Sequence, residues 1–199
     1  MKRFVMGMSV LLASALAGLP VTAEAQQKLV VKSLAEKKVT ELPAGSLIWR
    51  IERFPTRAQA EAAAGPWSLA AESAGKVWLF TLGSDGGSAA GGTKVGEVGP
   101  IPRISASEYL LRINEARGAP GSITSVHTHP GSEAFFVLAG EQTIRSPRGV
   151  MVIKVGQPAA GNGADVPMQV SSSGAADLHA LVMFVVDAAK PFSSPAKFP

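Results

Sequence analysis

There is no cysteine anywhere in this chain. Disulfides are therefore excluded, and stability must come from packing or from a bound metal. Histidine is almost as scarce, with three in 199 residues, so any clustering of imidazoles carries weight. Charged residues make up 17% of the chain. They are scattered and form no basic stripe, which argues against a nucleic-acid partner. No internal repeat is visible, which points to one unit rather than a duplicated one. The glycine-rich stretch over 83–92 is followed by neither Gly-Lys-Ser/Thr nor a strong helix. It reads as a plain loop or lid rather than a phosphate cradle.

The N-terminal apolar run over 5–19 is short for a membrane span, and Gly7, Gly18 and Pro20 fall in or just after it. Lys2 and Arg3 precede it, and Ala23-Glu24-Ala25 follows as a small-x-small cleavage site. That is the layout of a secretory signal peptide over 1–25. The expectation is an exported protein, periplasmic or extracellular, with no stable membrane span after cleavage. The mature chain over 26–199 would hold 174 residues, with 17 basic and 14 acidic side chains for a net charge of +3. One domain of ordinary size fits that length.

Short apolar runs separated by Gly and Pro dominate the rest, so the expected class is all-β, a sandwich or barrel. Residues 29–31 suggest an edge strand, with the remainder of 26–44 a surface arm. Strands are expected over 46–53, 67–71, 76–82, 107–114, 133–138, 141–146, 149–155, 166–171 and 178–187. The last is the longest apolar run of the mature chain and should be central. Thr56 and Gln59 have capping-box spacing, and Gly65-Pro66 end a short peripheral helix. Residues 190–199 contain three prolines and read as a loosely attached arm.

Chemistry concentrates in residues 121–140. His127 and His129 share a face if read as a strand, because side chains alternate. Pro130-Gly131 then turns the chain, and Glu133 opens the next strand. Two imidazoles and a carboxylate converging at one end of such a hairpin form a facial triad with open positions on the metal.

This segment resembles the first signature of the cupin superfamily. Gly121, His127, His129, Glu133 and Gly140 all fall in register with Gly-x5-His-x-His-x3,4-Glu-x6-Gly. The resemblance implies a cupin-like β-barrel, also called a jelly roll or double-stranded β-helix. Its signature core would lie over 121–187, with N-terminal strands and the short helix over 26–120. It also implies a divalent transition metal inside the barrel: iron, manganese, nickel, copper or zinc. The second signature matches only in part. Gly156 stands at its start, but Met168 occupies the position of the usual histidine, and Ser172 replaces its asparagine. Met168 is either a thioether ligand, which would favour copper, or an interior filler.

The remaining side chains are weaker candidates. His179 lies beside an apolar strand and reads as structural. Tyr109 and Trp78 read as core aromatics, Phe135 as a pocket wall, and Gln169 as facing away. The resemblance implies a metal-dependent enzyme of dioxygenase or isomerase type acting on a small oxygen-bearing organic molecule. The alternative is a non-catalytic small-ligand or metal-binding protein of the cell envelope. A homodimer through sheet edges is a further expectation of the resemblance.

Overall fold

Antiparallel strands account for most of residues 27–199, the part that the computed structural model describes. The expected leader over 1–25 lies outside the described residues. In chain order the elements are β1 (Val30–Val39), β2 (Leu47–Phe54), α1 (Arg57–Ala62), β3 (Ser68–Ser73) and β4 (Lys76–Gly83). Next come β5 (Thr93–Ile101), β6 (Tyr109–Gly118), β7 (His127–Thr128), β8 (Gly131–Ala139), β9 (Glu141–Ser146) and β10 (Gly149–Lys154). Last are β11 (Pro158–Ala160), β12 (Gln169–Ser172), β13 (Leu178–Asp187) and β14 (Ser194–Pro195). The all-β expectation holds, with one short helix.

A five-stranded sheet in the order β1-β6-β13-β8-β11 forms the middle of the molecule. Its central strands β13 and β8 are buried on both faces, and residue parity decides which face each side chain meets. Along β13, Leu181, Met183 and Val185 join one apolar cluster with Trp49, Trp78 and Phe80 of the β3-β4-β2-β5 sheet. Ala180, Val182 and Phe184 join a second cluster with Ile144, Ile153 and Val170 of the β10-β9-β12 sheet. Phe135 and Val137 of β8 face the second cluster, and Ala134 and Phe136 the first. Burying a side chain of this size is worth roughly 1.5–3 kcal/mol. The central strands therefore contribute to two cores at once.

The turns follow from residue type. β3 and β4 join through Ala74 (φ 53°) and Gly75 (φ 66°), with Ser73 opposite Lys76. Positive φ at both central positions matches the right-handed twist of a hairpin. At α1, Thr56 Oγ1 accepts from the Gln59 amide (3.3 Å) and gives its own proton to Gln59 Oε1 (3.0 Å). The N-cap is as expected, but the glutamine meets the hydroxyl rather than the Thr56 amide.

Several expectations need correction. The edge strand does not stop at residue 31, because β1 pairs with β6 from Val30 to Val39 around a bulge at Ser33/Ala35. The bulge breaks the alternation that would have signalled a strand. β5 lies outside every expected strand. It pairs with β2 despite Gly96 and Gly99, burying Val98 and Ile101. Residues 158–160, outside every expected strand, pair with β8. The C-terminal arm is docked: β14 pairs with β7, and the Ala196 amide donates to the Val126 carbonyl.

Candidate metal and ligand site

The two histidines and Glu133 do not form the expected hairpin. His127 pairs with Met168 and with Pro195, whereas β8 pairs with β13 and β11. The chain changes sheets at Pro130-Gly131. A Cβ at Gly131 would overlap the Val185 carbonyl, so only glycine lets β8 lie this close to β13. The crossover leaves the imidazoles on one wall of a cavity and Glu133 on the central sheet. Gly140, the last residue of the signature, turns the chain from β8 into β9 at φ 71°. A Cβ there would come within 2.6 Å of the Asp177 carbonyl oxygen.

The cavity measures about 600 Å³ and sits within the second core cluster. Phe135, Val170, Val182 and Phe184 supply apolar wall, and His127, His129 and Glu133 all border it. The imidazoles lie 4.9 Å apart, ring to ring, nearly perpendicular. His127 Nδ1–H donates to the Ser125 carbonyl (2.8 Å), and His129 Nδ1–H to the Phe192 carbonyl (2.7 Å). A carbonyl can only accept, so each Nδ1 carries a proton, and Nε2 is the nitrogen that bears the lone pair when the ring is neutral. Metal-binding imidazoles are commonly oriented in this way.

Burial holds His129 down at about 4. The Phe192 carbonyl opposes that drop, and positive charge at His127 and Arg112 adds to it. The ring is therefore neutral at pH 7, the form that can ligate. Glu133 is completely buried, and that burial pushes its carboxyl up to about 8, opposed weakly by the Asn162 amide at 3.4 Å. At neutral pH such a group keeps its proton unless a cation faces it.

Among the described residues, no three His, Cys, Asp or Glu side chains are drawn together tightly enough to grip an ion. The donors fit a divalent metal in type, in imidazole tautomer and in their shared cavity, but not as a closed cluster. Met168 is buried in the second apolar cluster beside Ile144 and Val170, and is not among the residues bordering the cavity. Its backbone amide and carbonyl both bond those of His127 (2.8 and 2.9 Å). Met168 thus braces the strand that carries the histidine.

The other weighed residues lie elsewhere. His179 faces the opposite side of the central sheet, with Nε2 2.7 Å from Glu115 Oε1 and 2.9 Å from Ser73 Oγ. Serine, histidine and acid meet there, but both oxygens address the same ring nitrogen. A nucleophile relay needs the acid on the other nitrogen. Trp78 belongs to the first core cluster and Tyr109 packs against it. Gln169 donates to the Thr124 carbonyl. Phe135 does wall the cavity.

One contributor was not visible in the sequence. Phe192, on the C-terminal arm, packs at a tilt against His129 (4.7 Å) and edge-to-face against Phe184 (4.9 Å), with the Arg112 guanidinium 4.1 Å above its ring. One of two phenylalanines in a proline-rich tail is a weak signal, with nothing to tell it from Phe198.

Comparison with known proteins completes the description. No protein-family model matches the chain, and no curated protein matches it. Among solved structures it is similar to cupin and double-stranded β-helix proteins. A cupin-like protein from Thermotoga maritima is 15% identical over 44% of this chain and 65% of its own, at a TM-score of 0.39. The DMSP lyase DddQ from Ruegeria pomeroyi is 20% identical over 43% of each chain, at 0.38. A double-stranded β-helix protein from Klebsiella pneumoniae is 21% identical over 44% of this chain and 75% of its own, at 0.37. This chain spans less than half the length of the lyases it resembles. At such identities and scores, no substrate or activity carries across.

Proposed function

We propose that this chain is an exported cupin-type protein that holds a divalent transition metal through His127, His129 and Glu133. The metal would be presented to a small oxygen-bearing organic molecule in the adjoining cavity. The observation that supports this most is the pair of imidazoles whose Nδ1 atoms are tied to backbone carbonyls, leaving Nε2 of each ring as the nitrogen available to a metal. Both rings border the same cavity as a buried carboxyl that has no cationic partner among the described residues. A metal in such a site supplies Lewis acidity or activation of O₂. The chain's own part is to keep His129 neutral, to orient both imidazoles, to exclude water with Phe135 and Phe184, and to hold the Glu133 proton until a cation displaces it. Oxygenase or isomerase chemistry is the reading favoured here.

A second reading, a binding protein without turnover, is favoured by one observation: the three donors border the cavity without closing on one point. Turnover by the metal-loaded protein separates the two. Homodimerisation through an exposed edge belongs to the same proposal. Val30 and Val31 on the edge strand β1 are 65% and 50% exposed. Among the described residues no helix is long and apolar enough to cross a membrane.

The test is metal analysis of protein purified from its export compartment, with N-terminal sequencing to check that it begins near Gln26. Wild type and His179→Ala should carry about one metal per chain, and His127→Ala almost none. Equal metal in the two variants would remove the assignment. An intact Met1 on exported protein would remove the signal peptide.

A further inference from the structure

We propose that Gln142 is the recognition group at a second pole of the cavity, and that the ligand carries an uncharged hydrogen-bonding group matched to it. The inference rests on reading the cavity as a ligand site. Gln142 is 0% exposed, and neither its Oε1 nor its Nε2 has a hydrogen-bond partner among the described residues. It borders the same cavity as the histidines. Leaving a buried amide unpaired is costly, and native interiors rarely do so without a reason. Such a defect beside a ligand cavity is explained if the missing partner is the ligand.

The surroundings limit what that partner is. Gln142 shares the inward face of β9 with Ile144, which is packed in the second core cluster. Its register partner across β12 is Ser172, whose buried hydroxyl is also unpaired. Asn114 borders the cavity as another amide, its Oδ1 accepting from Arg112 Nε (2.8 Å). The charged residues bordering the cavity are Glu133 and Lys28, and Lys28 is exposed. Among the described residues bordering the cavity, no buried Lys or Arg is available to neutralise an anionic group beside Gln142. A primary amide offers one acceptor and two donors. It therefore suits a hydroxyl, a carbonyl or another amide rather than a carboxylate or phosphate. The ligand class that follows is a mostly apolar, aromatic-sized molecule with one neutral polar group at this pole. The cavity volume is in the range of small-molecule sites.

The probes are p-cresol and p-xylene, which differ by a hydroxyl in place of a methyl. Their binding to EDTA-treated protein is followed by ligand-observed NMR up to the solubility of the xylene. Wild type should prefer p-cresol by about tenfold or more, since a site built around a polar partner rejects the analogue lacking it. Gln142→Met keeps the length and removes the amide. It should bring the preference close to one and raise Tm by roughly 2–4 °C, because an unpaired buried amide is gone. An unchanged preference in Gln142→Met overturns the inference, as does failure of wild type to bind either probe. A fall in Tm also overturns it, since the amide would then be a structural bond, with Ser172 or a buried water as partner. Metal-free protein keeps the two readings separate. A cresol preference in a chain that never takes up metal removes the metal proposal alone, and a metal-loaded chain without the preference removes this one alone.

Discussion

Phe192→Ala tests whether the C-terminal arm is part of the site. The ring is half-buried and contacts His129, Phe184 and the Arg112 guanidinium. Truncating a fully buried phenylalanine costs about 3–5 kcal/mol, so a half-buried one should cost about 2 kcal/mol. The contacts support that figure: aromatic pairs add about 0.5–1.5 kcal/mol each and an exposed cation–π contact about 0.5–1 kcal/mol. Phe192→Leu keeps most of the apolar area and should lose about 1 kcal/mol. For a chain of this size, 2 kcal/mol corresponds to a Tm drop of roughly 4–8 °C. The substitution leaves the Phe192 carbonyl in the chain but frees the segment that aims it at His129 Nδ1. Metal affinity should fall about tenfold, the lower end of what partners of ligating histidines contribute. Deleting residues 191–199 removes the carbonyl itself and should cost more affinity than the alanine. Urea denaturation and metal titration against a competing chelator give the two quantities. If Phe192→Ala stays within about 0.5 kcal/mol of wild type and binds metal as tightly, the arm is as loose as its prolines suggested.

Met168→Leu keeps the apolar volume and removes only sulfur. It should cost under ~1.5 kcal/mol and leave metal content unchanged, whereas loss of copper on titration would make the thioether a ligand. Gly161→Ala would place a Cβ 2.5 Å from Glu133 Cγ and from Phe135 Cε2. It should destabilise by about 1–3 kcal/mol and weaken metal binding, and unchanged values for both would mean that Glu133 has more room than the packing allows. Burial alone would raise the Glu115 carboxyl, but hydrogen bonds from Arg117, Ser73 and His179, with the Arg117 charge, hold it at about 2. A depressed carboxylate stabilises the fold above its unfolded value and loses that contribution as pH falls from about 4.5 towards 2. Discounted for solvent screening at Arg117, the loss should be about 1–2 kcal/mol. Glu115→Gln should flatten the stability curve in that window, and an unaltered acid limb would show the cluster to be energetically idle.

The sequence was legible where pattern is local. The apolar run of β13 and the β9–β10 hairpin could be placed because periodicity and turn residues both lie within about ten residues. Gly121, His127, His129, Glu133 and Gly140 could be picked out because their spacing is itself the signal. What could not be read was pairing. A strand such as β1, carrying Lys32, Glu36, Lys37 and Lys38, looks like a solvated arm until β6 supplies its hydrogen bonds. The histidine strand and β8 looked like a hairpin because a turn joins them. Yet Gly131 marks a close approach to Val185, 54 residues further along, and nothing local to the turn shows that.

Parity along the central strands is the step that ties fold to chemistry. A strand exposed on one face would have sorted its residues into core and solvent. Here both faces are buried, so alternation sorts them into two cores, and polar residues in those strands are sorted with them. Glu115 and His179 meet Ser73 on the first face, while Asn114 and Glu133 border the cavity on the second. Neighbours in sequence such as Asn114 and Glu115 therefore serve different cores. One bonded cluster closes on itself, with acid, imidazole and hydroxyl all partnered. On the other face Gln142 and Glu133 are buried with little or nothing to bond. For the two carboxyls, burial has been compensated on one side of the sheet and not on the other. The uncompensated carboxyl, Glu133, borders the cavity of about 600 Å³, where something has room to bind.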